Sequence, residues 1–137
     1  MQHIVVDANV LISFFVERNE KQRAAAKAFL LAAENGDFTV VIPQFVFFEI
    51  IYVLQTFYSV PVDVVANVVK DVLAMPGILV TDDFPWTQIF EYWPDPLRSI
   101  SDAAIVALAV ANRYDSVATF DQKLARRLKT SGVHSYW

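Results

Sequence analysis

Short apolar runs alternate with longer helical stretches along the whole chain, and that alternation predicts the elements. His3 to Val6 reads as a first strand, followed by a helix from about Val10 to Val16. A second, alanine-rich helix spans about Glu20 to Glu34, and Asn35-Gly36 supplies its C-terminal stop. Thr39 to Ile42 is the second strand. Pro43 suits the first turn of a helix to about Tyr58, and Pro61 opens another to about Ala74. Met75-Pro76-Gly77 is a break before a third strand, Ile78 to Val80. A short aromatic helix, Phe84 to Trp93, ends at Pro94-Asp95-Pro96. Ser99 or Ser101 caps a helix to about Arg113, and Val117 to Thr119 is the fourth strand. Gln122 to Lys129 forms a basic helix, and Val133 to Tyr136 is a candidate fifth strand. Strands separated by helices predict an α/β fold with a parallel sheet of four or five strands, covered on both faces.

Composition sharpens this picture. The 137 residues are the length of one domain, 1–137, with enough chain to bury a core. Hydrophobic residues make up 55%, charged residues 19%, and mean hydropathy is +0.38. A sheet buried on both faces consumes apolar residues on both sides of each strand. The excess also leaves material for a partner surface. No apolar stretch reaches the roughly 18 residues of a membrane span, because Glu49, Gln55 and Lys70 interrupt the candidates. The N-terminus enters a strand without a basic region or cleavage site, which predicts no signal peptide and a cytoplasmic location. Cysteine is absent, so disulfides and thiolate metal sites are excluded. The net charge of -4 gives no global attraction to nucleic acid. A polyanionic substrate would need a local basic patch or bound cations.

Four carboxylates stand against apolar sequence. Asp7 ends Ile4-Val5-Val6, Glu49 interrupts Phe45 to Leu54, Asp102 opens the run Ala103 to Val110, and Asp121 follows Val117 to Phe120. A buried ionised carboxylate is costly unless it is paired or holds a metal. Each also has a bland account. Asp121 suits the N-cap of the basic helix, and Ser99-Ile100-Ser101-Asp102 has capping-box spacing. Asp7 can cap the helix at Val10 with help from Asn9. Glu49 is mid-helix with apolar neighbours all round, so it cannot be a cap, and bases to pair with it are few in the first half of the chain. Topology joins the four. In open parallel sheets ligands bind at the carboxyl ends of the strands, and all four acids can face that edge. Oxygen-only ligands select hard cations, Mg²⁺ or Mn²⁺, over zinc. Such ions activate water and stabilise a leaving oxygen in phosphodiester hydrolysis.

The remaining polar residues carry less. Asp82-Asp83 could join the site but fit a turn and cap better. His3 and His134 fall in predicted strands. No Ser-His-acid spacing and no glycine-rich phosphate loop occurs among the three glycines. Arg98, Lys123, Arg126, Arg127 and Lys129 are candidates for phosphate contacts along a polyanion path. Basic residues late in a helix also complement its dipole, an equally good account of them.

With these motifs in view, the sequence resembles the PIN-domain ribonucleases, and among them the VapC-type toxins. The matching segments are Val6-Asp7-Ala8-Asn9-Val10-Leu11-Ile12, Pro43-Gln44-Phe45-Val46-Phe47-Phe48-Glu49, Ser101-Asp102-Ala103-Ala104-Ile105 and Ala118-Thr119-Phe120-Asp121. Each is short; their order and spacing carry the likeness. The resemblance covers essentially the whole chain and implies a single PIN-like domain built as a three-layer α/β/α sandwich. It implies a Mg²⁺- or Mn²⁺-dependent endoribonuclease cleaving single-stranded RNA, as the toxin of a type II toxin–antitoxin pair. Asp7, Glu49, Asp102 and Asp121 would then be the metal-binding catalytic acids, with Asn9 and Thr119 supporting them. A small antitoxin and a homodimer are the implied partners. The aromatic segment Phe84 to Trp93 is rich for that family. It suits core packing first, then a partner surface or base stacking.

Other readings fit less well. A receiver-type phosphoacceptor would need paired acids after the first strand and a lysine after a late one; Asp7 has no acidic neighbour and Thr119-Phe120 no lysine. An aspartate-nucleophile phosphatase would want Asp-x-Asp where Asp7-Ala8-Asn9 stands. The serious alternative is a non-catalytic PIN-like module that acts by binding a protein.

Overall fold

The apolar run of β1 (His3–Val6) is buried on both sides, and the alternation of its side chains defines the layers. A computed structural model describes residues 1–137. Ile4 and Val6 of β1, Val40 and Ile42 of β2 (Thr39–Pro43), and Ala118 share one apolar cluster. That cluster includes residues of α1 (Ala8–Phe15), α2 (Glu20–Glu34), α3 (Gln44–Thr56) and α4 (Val62–Ala74). The intervening residues Val5, Val41 and Val117 turn to the opposite face. There they meet Ile105, Val106 and Ala109 of α6 (Ile100–Ala111) and Leu124 and Leu128 of α7 (Gln122–Thr130). A third small cluster joins Ile89 of the short α5 (Trp86–Ile89) to Ala103, Ala104 and Ala107 of α6.

The sheet has five strands, all parallel, in the order β3-β2-β1-β4-β5, with β3 at Ile78–Thr81, β4 at Ser116–Ala118 and β5 at His134–Ser135. The expected three-layer α/β/α sandwich is therefore present, with the larger strand number. Most elements lie where the apolar periodicity places them, within a few residues. Two differ. Pro43 is the N-cap of α3 rather than part of its first turn. The aromatic helix shortens to four residues, followed by turns through Pro96. Gly77 marks a tight place: at φ +82 its missing Cβ would meet the Ala33 carbonyl oxygen at 2.4 Å, so α2 rests directly on the turn that feeds β3.

The strand order places the site. The chain moves outward from β1 through β2 to β3, then returns to the other side of β1 as β4. The switch point thus lies between β1 and β4, where Val6 is level with Ala118. In such sheets the crevice outside that point is where ligands bind. Asp7 and Thr119 are the next residues on these two strands.

Candidate active site

Asp7 is the first functional side chain that the fold fixes. Its backbone N–H donates to the Ala118 carbonyl at 2.9 Å, extending the ladder by one rung. Its side chain caps α1 by accepting from the Ala8 N–H at 2.8 Å. The other oxygen, Oδ2, accepts from the Thr119 hydroxyl at 2.8 Å and from Asn9 Nδ2 at 2.9 Å. Asn9 in turn accepts from the Phe120 N–H through Oδ1 at 3.1 Å. The Thr119 oxygen accepts from Asn9 Nδ2 at 3.3 Å and from the Asp121 N–H at 3.1 Å. The two loops at the switch point are thereby bolted together through Asn9 and Thr119, the residues singled out as supporting the acids.

Asp121 caps α7, accepting from the Lys123 and Leu124 N–H groups at 2.9 and 3.3 Å. Asp102 sits in the first turn of α6. Ser99 caps that helix by accepting from the Asp102 N–H at 3.2 Å, but the Asp102 carboxylate makes no return hydrogen bond. The capping box is half made, and the acid is left free. Glu49 is also free of hydrogen bonds and ion pairs, one helical turn after Phe45 in α3. The one ion pair in the molecule joins Arg23 to Glu17, so none of the four acids has a basic partner.

Charge effects link the four acids pairwise. Burial pushes the Asp7 carboxyl up to about 7; the Thr119 hydrogen bond opposes this, while the charges of Asp102 and Glu49 add to it. Burial raises Asp102 to about 6, helped by Asp121 and Glu49. Glu49 thus acts on both Asp7 and Asp102, Asp102 acts on Asp7, and Asp121 acts on Asp102. The order of suspicion drawn from sequence changes here. Asp7 is the deeply buried acid at 6% exposure, whereas Glu49 is half-buried. α3 is not apolar toward a protein interior all round, since Phe48 and Tyr52 face solvent.

Whether the acids suit a cation follows from their donors. The set is carboxylate oxygen only, its negative charges face one another, and no base offsets them; that chemistry fits a hard divalent ion. No three of them form a ready-made ligand shell. Asp82 and Asp83 stay outside the group. Asp83 accepts from Asn112 at 3.1 Å, at the end of α6 opposite Asp102.

The basic candidates divide. Lys123, Arg126 and Arg127 line one cleft on α7 with Leu97, and Arg126 and Lys129 line a second with His134 and Trp137. Arg98 is exposed and joins neither cleft. The largest cleft lies elsewhere, along the α1–α2 turn, lined by Glu17, Arg18, Glu20, Arg23 and Lys27. One residue there bears on the site without having been singled out. The Arg18 guanidinium donates to the Asn9 carbonyl at 2.9 Å and to Ser13 Oγ, holding the first turn of α1 from behind. An isolated arginine in a loop gives no sequence signal of that role.

Comparisons with known proteins agree with this fold. The chain is similar in structure to VapC20 of Mycobacterium tuberculosis, described as a sarcin–ricin-loop-cleaving toxin. The TM-score is 0.68 at 15% identity, covering 90% of this chain and 94% of that one. No curated protein matches the chain in sequence. The PIN-domain family model matches residues 4–129, a span that contains all four acids, and the chain belongs to the PIN-domain family.

Proposed function

We propose that this protein is a metal-dependent endoribonuclease that cleaves single-stranded RNA, acting as the toxin of a type II toxin–antitoxin pair. Nuclease activity is the general reading of the family; the metal, the substrate and the toxin role are the finer proposal. The observation that supports it is the mutual charge coupling of Asp7 and Asp102 with Glu49 and Asp121, with no base paired to any of the four.

Mg²⁺ or Mn²⁺ would be held by these acids, and it supplies charge neutralisation and acidification of water for attack on a phosphodiester. The chain's own residues set the frame. Asp7 is the fixed member, immobilised by three donors. Asp121 is half committed to α7, while Asp102 and Glu49 keep free carboxylates that can adjust to the ion. Lys123, Arg126, Arg127 and Lys129 offer the phosphate path along α7, with Arg98 set apart from them. A cation in the acid group also removes the repulsion that would keep a polyanion away.

The partner reading has its own support. Phe48, Tyr52, Phe57, Val62 and Val64 are exposed on the packed pair α3 and α4, a mixed aliphatic and aromatic surface. Such a patch suits a small antitoxin or a second copy of the chain. No helix is long and apolar enough to cross a membrane.

The test is cleavage of single-stranded RNA with Mn²⁺, Mg²⁺ or EDTA, by wild type and Asp7→Asn. We expect cleavage by wild type with either ion, none in EDTA and none by the variant. Metal-dependent cleavage that survives Asp7→Asn would sink the assignment. A wild type that cuts nothing yet binds a protein partner would favour the non-catalytic module.

A further inference from the structure

The segment after β3 turns its aliphatic residue inward and its aromatic residues outward. Ile89 is fully buried against Ala103, Ala104 and Ala107, whereas Trp86 and Phe90 are 52% and 58% exposed. The rings form a continuous ladder. Phe45 meets Phe84 at 5.5 Å, Phe84 meets Trp86 at 4.6 Å, Trp86 stacks on Phe90 at 5.6 Å, and Phe90 meets Trp93 at 6.0 Å. Trp93 fixes the far end, its indole N–H donating to the Arg98 carbonyl at 3.1 Å. The near end opens on Glu49: Phe45, Glu49, Phe84, Ile100 and Ser101 line one cleft of about 200 Å³.

We propose that Phe84, Trp86 and Phe90 form a stacking subsite for unpaired bases of the RNA strand that crosses the carboxylate site. This rests on the endoribonuclease reading. Three features favour bases over a protein occupant. The exposed apolar surface of this segment is aromatic only, with Thr87, Gln88 and Glu91 as its exposed neighbours, whereas the α3–α4 face mixes aliphatic and aromatic residues. The segment 84–93 contains no lysine or arginine, so it is suited to the π-faces of bases while α7 takes phosphates. The ladder is also continuous with the cleft that holds Glu49, so a strand positioned for cleavage would lay its neighbouring nucleotides along it. Every base has a π-face, so this subsite tolerates sequence and selects single strands over duplexes.

The experiment measures fluorescence anisotropy of a labelled short single-stranded RNA and of an abasic strand of equal length. Both are bound to Asp7→Asn, with and without Trp86→Ala and Phe90→Ala. With the ladder intact, RNA should bind about tenfold or more tighter than the abasic strand. The double alanine variant should lose that margin and Trp86→Phe should retain most of it. In otherwise wild-type protein, the double variant should raise KM for Mn²⁺-dependent cleavage about tenfold, with a smaller change in kcat. An unchanged margin in the double variant, as expected if the rings serve a protein partner, overturns the proposal. So does an equal loss for RNA and abasic strand, which would mark a structural effect. Metal-dependent cleavage by wild type decides the parent reading separately.

Discussion

Asp7→Asn tests the central electrostatic claim through stability alone, before any substrate is added. In the unfolded chain the Asp7 carboxyl ionises near 3.8, whereas in the folded, metal-free protein burial holds its proton up to about 7. Between those values folding takes up a proton, so stability falls as pH rises and the loss is complete above the folded pKa. Each pH unit in this window costs about 1.4 kcal/mol. From pH 5 to pH 8 the Asp7 contribution is therefore a loss of roughly 3 kcal/mol. That is a large share of the roughly 5–15 kcal/mol that stabilises a domain. Asparagine cannot ionise. It also disturbs the bonds from Ala8, Asn9 and Thr119, which lowers stability by a similar amount at every pH, so the slope rather than the level carries the test. Urea unfolding in EDTA at pH 5, 6, 7 and 8 should show wild type declining more steeply than Asp7→Asn by roughly 3 kcal/mol over the range. Asp102, raised to about 6, contributes to the slope of both proteins. Equal slopes, or a steeper decline in the variant, would refute the reasoning that Asp7 is a buried acid held in an acidic cluster.

Further expectations follow from the same geometry. Mn²⁺ at about 100 times its dissociation constant should stabilise wild type at pH 8 by roughly 2.7 kcal/mol, read from urea midpoints, and Asp7→Asn should lose most of that gain. Thr119→Val removes a buried hydroxyl that serves Asp7, Asn9 and Asp121; it should cost about 1–3 kcal/mol and raise the Asp7 carboxyl further, moving its pH window upward in the same unfolding series. Arg126→Ala, exposed on α7, should weaken binding of single-stranded RNA and reduce the salt slope of log K by about 0.7 without altering thermal stability. Gly77→Ala drives a Cβ into the Ala33 carbonyl at a left-handed φ and should lower the unfolding midpoint, unlike the surface change Arg126→Ala.

The fold was legible because the strands are short, apolar runs buried on both faces and the helices between them are bounded by Asn-Gly, Pro and Ser signals. Where the reading erred, tertiary packing decided. The 84–93 segment is aromatic enough to suggest a full helix, yet only Trp86–Ile89 is helical, anchored by Ile89 on the alanines of α6. The four acids were grouped from sequence because topology puts strand ends and the helices that follow them on one edge; their joint role is our proposal. Their ranking was not. Apolar neighbours in sequence made Glu49 look buried, but a helix can turn apolar residues to solvent, as Phe48 and Tyr52 do here. Nor could sequence foresee that the Asn9 and Thr119 side chains would close a loop-to-loop network, or that Arg18 would hold the Asn9 carbonyl.

The distribution of hydrogen bonds among the acids bears on how the site would bind an ion. Asp7 has a short side chain at a strand end and cannot reach solvent, so the fold meets its charge with three donors and still leaves it costly. Glu49 and Asp102 receive no donors and are only half-buried. The site thus has one rigid vertex and two adaptable ones. Rigid placement of all four would concentrate like charges in the metal-free protein and cost more stability. Full freedom would leave the ion to organise its own ligands at an entropic cost. On this argument Glu49→Gln should change metal-free stability far less than Asp7→Asn does, while still weakening Mn²⁺ binding. Paired urea and Mn²⁺ titrations of the two variants separate these effects. A Glu49→Gln protein with the pH slope of Asp7→Asn would show that the cost of the cluster is shared rather than concentrated at the β1 end.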